Sequence, residues 1–192
     1  MKQQFQIYIN QICPIRNEAL EELLRCFKPI ELKKHDFFVR EGEFAQSVGY
    51  LEEGIIRAFF LNKEAKEYNK QFFVGPSIIG AYSSLLTKQP NRIAQQALTD
   101  CRIMSADFRK VEALYNQFHE LERLGRKIAE HYFLEKEQKE LEMALLDADK
   151  RYLILRDKFP QLEAIIPQYH IASYLGISPT QLSRIRKKMS II

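Results

Sequence analysis

Residues 167–189, PQYHIASYLGISPTQLSRIRKKM, constrain the fold more than any other stretch of this 192-residue chain. Pro167 suits the first turn of a helix, where a missing N–H removes no hydrogen bond. Ile171, Ala172 and Leu175 give that helix one apolar face, and Ala172 is small enough for a second helix to cross closely. Gly176 is placed to end it in the left-handed backbone region. Ser178-Pro179-Thr180-Gln181 reads as a capping box. In it the Ser178 hydroxyl accepts from the Gln181 N–H, Gln181 reaches back, and Pro179 takes the first helical position. Two short helices joined by a tight glycine-containing turn are a helix-turn-helix. On the second helix Leu182, Ile185 and Met189 share an inward face, with Thr180, Arg184 and Lys187 opposite, flanked by Ser183.

A polar helix face that ends in basic residues fits the major groove of duplex DNA. Arg184 carries two donors for a guanine edge. Thr180 and Gln181, near the helix start, are placed to touch bases. Ser178, Ser183, Lys187 and Lys188 suit phosphates, which fix orientation rather than sequence. Gln168 and Pro179 complete the expected surface. The alternative for the same residues is an amphipathic helical hairpin with a wet basic face. Charge placement bears on the choice. The net charge is +4, and the last 46 residues hold eight basic and four acidic side chains, none acidic beyond Glu163. The first 146 residues balance at 21 of each sign. A basic end on a neutral body is an electrostatic footprint for a polyanion.

Upstream the texture changes twice. Residues 1–30 predict helix, with Leu20, Leu23, Leu24 and Phe27 on one face and a stop at Pro29. From His35 to Asp107, short aromatic and β-branched runs (FFV, IIRAFF, YNKQFFV) alternate with glycine or polar breaks, the pattern of a compact antiparallel roll. Asp107 is placed to cap the short helix FRKVEAL, and a long proline-free helix is predicted over about 117–146. Along it Phe118, Leu121, Gly125, Ile128 and Tyr132 recur in steps of three and four, the seam of a coiled-coil dimer, with Gly125 permitting close approach. The alternative is that this face packs on the chain's own β-domain. EKEQKELE (135–142) reads as solvated surface. DADKRYLILRDKF predicts one more helix, linked to the motif by QLEAII.

IASYLGISPTQLSRIRKK resembles the DNA-binding motif of the Crp/Fnr family, the regulators similar to the cyclic-AMP receptor protein. The order of parts resembles it as well, and VREGEFAQSVGYLEEGIIRAFFLN looks like the family's β-roll, with Gly42 and Gly54 at turns. The resemblance implies an α+β chain of three parts. Residues 1–106 form an antiparallel β-roll (a cyclic-nucleotide-binding-like jelly roll). Residues 107–146 form a dimerisation helix, and 147–192 a winged-helix-like helix-turn-helix domain. It implies a homodimer reading a palindromic site in double-stranded DNA. RNA polymerase and a small effector are the further partners that it admits. Arg184 matches the family's base-reading arginine, whereas Thr180 stands where the best-known members carry glutamate.

The stretch IIGAYSSLLTKQPNRIAQQAL corresponds to the family's effector pocket, which gives Gly80, Ala81, Tyr82, Ser83, Ser84 and Arg92 as its candidate lining. Ala81 stands where cyclic-nucleotide binders use a glutamate for the ribose, and Ile93 where a serine follows the phosphate arginine. Cyclic-AMP binding is therefore not expected, and a β-roll that has lost its ligand is one reading. Cys13 and Cys26 do not supply the N-terminal cluster of the iron–sulfur members. A haem would have to be ligated by His35, His119, His131 or His170, and a lone histidine is far more often structural.

No metal or cofactor is expected. Cys13, Cys26 and Cys101 are far apart and form no Cys-x-x-Cys pair, which argues for a reducing compartment. The sequence lacks an apolar run behind a basic start and any stretch near the roughly 18 apolar residues of a membrane span. The expected place is the cytoplasm. No phosphate loop, His-Glu-x-x-His or nucleophile-elbow motif is present, so an enzyme is not expected.

Overall fold

The computed structural model describes residues 1–62, 64 and 67–189. Its strands are β1 (Lys28–Leu32), β2 (Phe37–Val39), β3 (Ser47–Glu53), β4 (Ile55–Leu61), β5 (Glu67–Val74), β6 (Ser77–Ile79), β7 (Ala94–Ala97) and β8 (Cys101–Asp107). They form two antiparallel sheets, ordered β1-β8-β3-β6 and β2-β7-β4-β5. Period-two alternation places Leu51, Ile103, Ile79, Ile56, Phe73 and Ala97 in a core drawn from both sheets. The roll begins earlier than the sequence suggested. Pro29 does not merely stop a helix; it pairs with Met104 in β1, an edge strand, where a residue without an N–H is tolerated.

The other face of the first sheet is covered by helix. Residues 1–30 hold two helices, α1 (Lys2–Ile12) and α2 (Asn17–Cys26). Phe5, Ile9, Leu20 and Leu23 from these helices join Tyr50, Met104 and Ala106 of the sheet in a second core. Phe5 stacks on Tyr50 with ring centroids 4.6 Å apart. A short α3 (Tyr82–Thr87) follows β6. Asp107 caps α4 (Phe108–Ala113), its carboxylate accepting from the Arg109 N–H.

The long helix α5 runs His119–Leu145, and its expected dimer seam faces inward. Phe118 and Leu121 are core residues, 8% and 1% exposed, and Ile128 packs on that same core. Tyr132 packs on the core between the sheets, and its hydroxyl donates to the Ile78 carbonyl at 2.7 Å. Gly125 makes room for Tyr115: a Cβ there would lie 2.7 Å from the tyrosine hydroxyl. Phe118, Leu121, Ile128 and Tyr132 thus pack on the chain's own core, the alternative that the sequence left open for this face. The periodicity was real, but it identifies an apolar face without saying what covers it.

The remaining helices are α6 (Ala148–Lys158), α7 (Leu162–Ile165), α8 (Gln168–Leu175) and α9 (Pro179–Met189). Residues 190–192 of the expected C-terminal domain lie outside the described residues. Among the described residues no strand lies between 146 and 189, so the helix-turn-helix is seen without wing strands. The chain divides into two compact units, Met1–Phe60 with Phe72–Tyr132, and Leu61–Gln71 with Phe133–Ile192. This division falls inside α5, a different cut from the boundaries expected at 106/107 and 146/147, and the start of β5 joins the C-terminal unit. The first half of α5 buries Leu121 and Leu124 in the roll's core, and the second half has no such residues.

Candidate nucleic-acid interface

The helix-turn-helix forms as its punctuation dictates. Gly176 ends α8 with φ +69°, in the left-handed region that glycine adopts without a Cβ penalty. The Ser178 hydroxyl accepts from the Gln181 N–H at 3.1 Å. Among the described residues only this half of the capping box is made. Ile171, Ala172, Leu175 and Leu182 are fully buried, Ile185 nearly so, and α8 packs against both α9 and α6. Burial of that face leaves Gln168, Ser178, Pro179, Thr180, Gln181, Ser183, Arg184, Lys187 and Lys188 all exposed.

The cations of this unit are not equivalent. Lys150 pairs with Asp147, Lys158 with Glu135 and Lys188 with Asp149. The Glu163 carboxylate accepts from the Tyr152 hydroxyl at 2.9 Å and holds Arg186 (3.4 Å) and Arg156 (3.9 Å). Arg151 donates to the carbonyls of Leu146 and Leu175. Of the eight basic residues beyond Asp147, this leaves Arg184 and Lys187 without a hydrogen bond or ion pair among the described residues. Lys188, expected on a phosphate, instead points at Asp149 at 2.6 Å. Such an exposed pair is worth little and yields readily to a phosphate. In this pair the Asp149 carboxylate raises the Lys188 pKa.

Sequence reasoning missed two groups here. Glu163, on a four-residue helix read as a linker, joins α6, α7 and α9 through one carboxylate. Its signal, an acidic residue among cations, is too common to single out. Lys139 of α5 lies 3.6 Å above the Tyr174 ring of α8, and burial pushes its ammonium down to about 8. The same burial raises Tyr174.

The candidate effector residues do not assemble into one grip. Gly80 takes φ +155° in the turn before α3, and Ala81 is buried. Tyr82 is half exposed and meets Phe108 edge-on, and Ser83 and Arg92 are exposed. The Ser84 hydroxyl is engaged locally, donating to the Gln89 carbonyl at 2.6 Å and accepting from the Ala45 N–H at 3.1 Å. The buried residue beside Arg92 is Asn91, whose side chain bonds Arg40 and Ile93 main-chain groups. Arg57 is also buried, held by Gln96 at 2.8 and 3.1 Å and lying over Phe59. Of the four histidines, His170 alone is buried.

Residues 29–118 match the cyclic nucleotide-binding domain. The transcriptional activator protein Anr of Pseudomonas protegens is 24% identical over 179 residues, covering 88% of this chain and 72% of Anr. FixK2 from Bradyrhizobium japonicum has the same fold, with a TM-score of 0.75 at 17% identity over 86% of this chain and 85% of FixK2. The chain is similar to Crp/Fnr regulators in sequence and shares their fold. The global regulator CLP of Xanthomonas campestris, described as responsive to c-di-GMP, aligns over 92% of both chains with a TM-score of 0.71 and 14% identity. The transcriptional activator protein Anr of Pseudomonas aeruginosa is 22% identical over 88% of this chain and 72% of its own length. Among the described residues no helix is long and apolar enough to cross a membrane.

Proposed function

We propose that the chain is a homodimeric, sequence-specific DNA-binding transcription regulator that reads a palindromic site with α9. The observation that carries this reading is the exposed face of α9, where Arg184 and Lys187 are free among the described residues while the neighbouring cations are engaged within the unit. Arg184 reads a base edge, Thr180 and Gln181 touch neighbouring bases, and Lys187, Ser178 and Ser183 hold phosphates. The dimer helix remains α5, with the partner's footprint moved to the second half. Leu134, Leu141 and Leu145 are 60%, 49% and 75% exposed and recur with Gln138 in steps of four, three and four. An exposed apolar stripe at heptad spacing is the seam that a second copy covers.

The β-roll serves this protein as a scaffold that needs no cyclic nucleotide. Supporting this, Ser84 and Asn91 spend their polar atoms on main-chain partners, and no carboxylate follows Gly80. Duplex binding measured against salt tests the phosphate assignment. Lys187→Ala is expected to lower the slope of log K against log salt by about 0.9 for each phosphate that the lysine neutralises. Cyclic AMP is expected to leave both curves unchanged. An unaltered slope removes Lys187 from the interface, and a cyclic-AMP-dependent rise in affinity contradicts the scaffold reading.

A further inference from the structure

In β5, the main chain of Glu67 and Asn69 and the side chains of Asn69 and Gln71 meet helices of the C-terminal unit. Asn69 is 3% exposed. Its main-chain N–H donates to the Ser173 hydroxyl at 2.9 Å, and that hydroxyl donates to the Glu67 carbonyl at 2.9 Å. The Asn69 side-chain amide donates to the His170 carbonyl at 3.1 Å and lies 3.3 Å from His170 Nδ1. Two residues on, the Gln71 amide donates to Glu135, the carboxylate that also holds Lys158. His170 and Ser173 are three apart on α8, so they present one face to the strand.

A buried amide costs stability unless its hydrogen bonds are made, and a network of this kind is formed or broken rather than stretched. It therefore fixes α8 in a single orientation on the strand. Helix α9 is fixed with it, because α8 and α9 share the buried Ile171, Leu175, Leu182 and Ile185. We propose that Asn69 and Ser173 are positioning residues for DNA reading, and that residues 67–71 are the strand segment on which the helix-turn-helix is held. The free cations of α9 do not touch this network, so its loss alters how the helix is aimed and leaves its charge in place.

The inference rests on the DNA-binding reading, and its test separates the two. Full-length wild type, Asn69→Ala, Ser173→Ala and Ser173→Thr are titrated against the duplex that wild type enriches, and against an unrelated duplex at low salt. Circular dichroism checks that each variant is folded. Both alanine variants are expected to lose affinity for the enriched duplex by roughly two- to thirtyfold, the range over which residues outside a binding surface modulate it. They should keep wild-type affinity for the unrelated duplex. Ser173→Thr, which retains the hydroxyl, is expected to behave as wild type. If wild type itself does not discriminate between duplexes, the functional reading falls. If wild type discriminates and the alanine variants do so equally well, or lose affinity for both duplexes in the same proportion, the positioning role alone falls.

Discussion

Arg184→Ala is expected to lower affinity for the operator roughly ten- to hundredfold, the worth of one bidentate pair with a base edge. Binding to unrelated duplex should change by no more than the removal of one exposed cation. The asymmetry follows from the structure around α9. Arg186 and Lys188 lie to the side of the groove-facing row and are held by Glu163 and Asp149. Arg184 is exposed and, among the described residues, unpaired, with Leu182 and Ile185 beside it fixing the helix register from below. Removing Arg184 therefore leaves the fold and most of the phosphate-binding groups intact. Equal losses on operator and unrelated duplex would assign Arg184 to the backbone, and sequence reading would have to come from Thr180 and Gln181.

The second large effect separates the two faces of α5. Leu141→Glu is expected to convert the dimer to a monomer by light scattering with little change in helix content. Leu141 is 49% exposed in the protomer, so the carboxylate costs little until a partner helix covers it. Operator affinity should fall by about two to four orders of magnitude, because a monomer loses the effective concentration that ties two half-sites together. Leu121→Ala should do the opposite. It lies 1% exposed in the core with Phe118 and Leu124, and its truncation costs about 2–5 kcal/mol of stability. A stable dimeric Leu141→Glu, or a Leu121→Ala that dissociates without loss of stability, would restore the first half of the helix as the dimer seam.

These two predictions also mark where the sequence was legible. The helix-turn-helix could be read because each of its signals acts within a few residues. Pro167 and Gly176 bound α8, Ser178 caps α9, and the 3.6-residue period sorts Leu182 and Ile185 from Arg184. The roll was readable from alternation, though its first strand was hidden behind Pro29. On α5, Leu121 and Tyr132 announce an apolar face equally well whether a partner or the chain's own sheets cover it. The second stripe is diluted by Gln138 and by the charges of 135–142, so Leu141 reads as solvated surface. Nothing local links Asn69 to His170 across 101 residues. An asparagine in a strand and a histidine in a helix acquire meaning only once the chain has brought them together. The effector region was half legible: the missing carboxylate after Gly80 is visible in sequence, whereas the engagement of Ser84 and Asn91 is a fact of the fold.

The most direct test of the central claim is selection of random duplex DNA by the full-length protein at moderate salt, where non-specific attraction of the basic face has largely faded. The account predicts enrichment of an inverted repeat with half-site centres about one helical turn apart, without any added effector. Enrichment of single half-sites would contradict the dimer, and recovery of duplexes with no shared sequence would contradict the assignment of α9 as a reading helix.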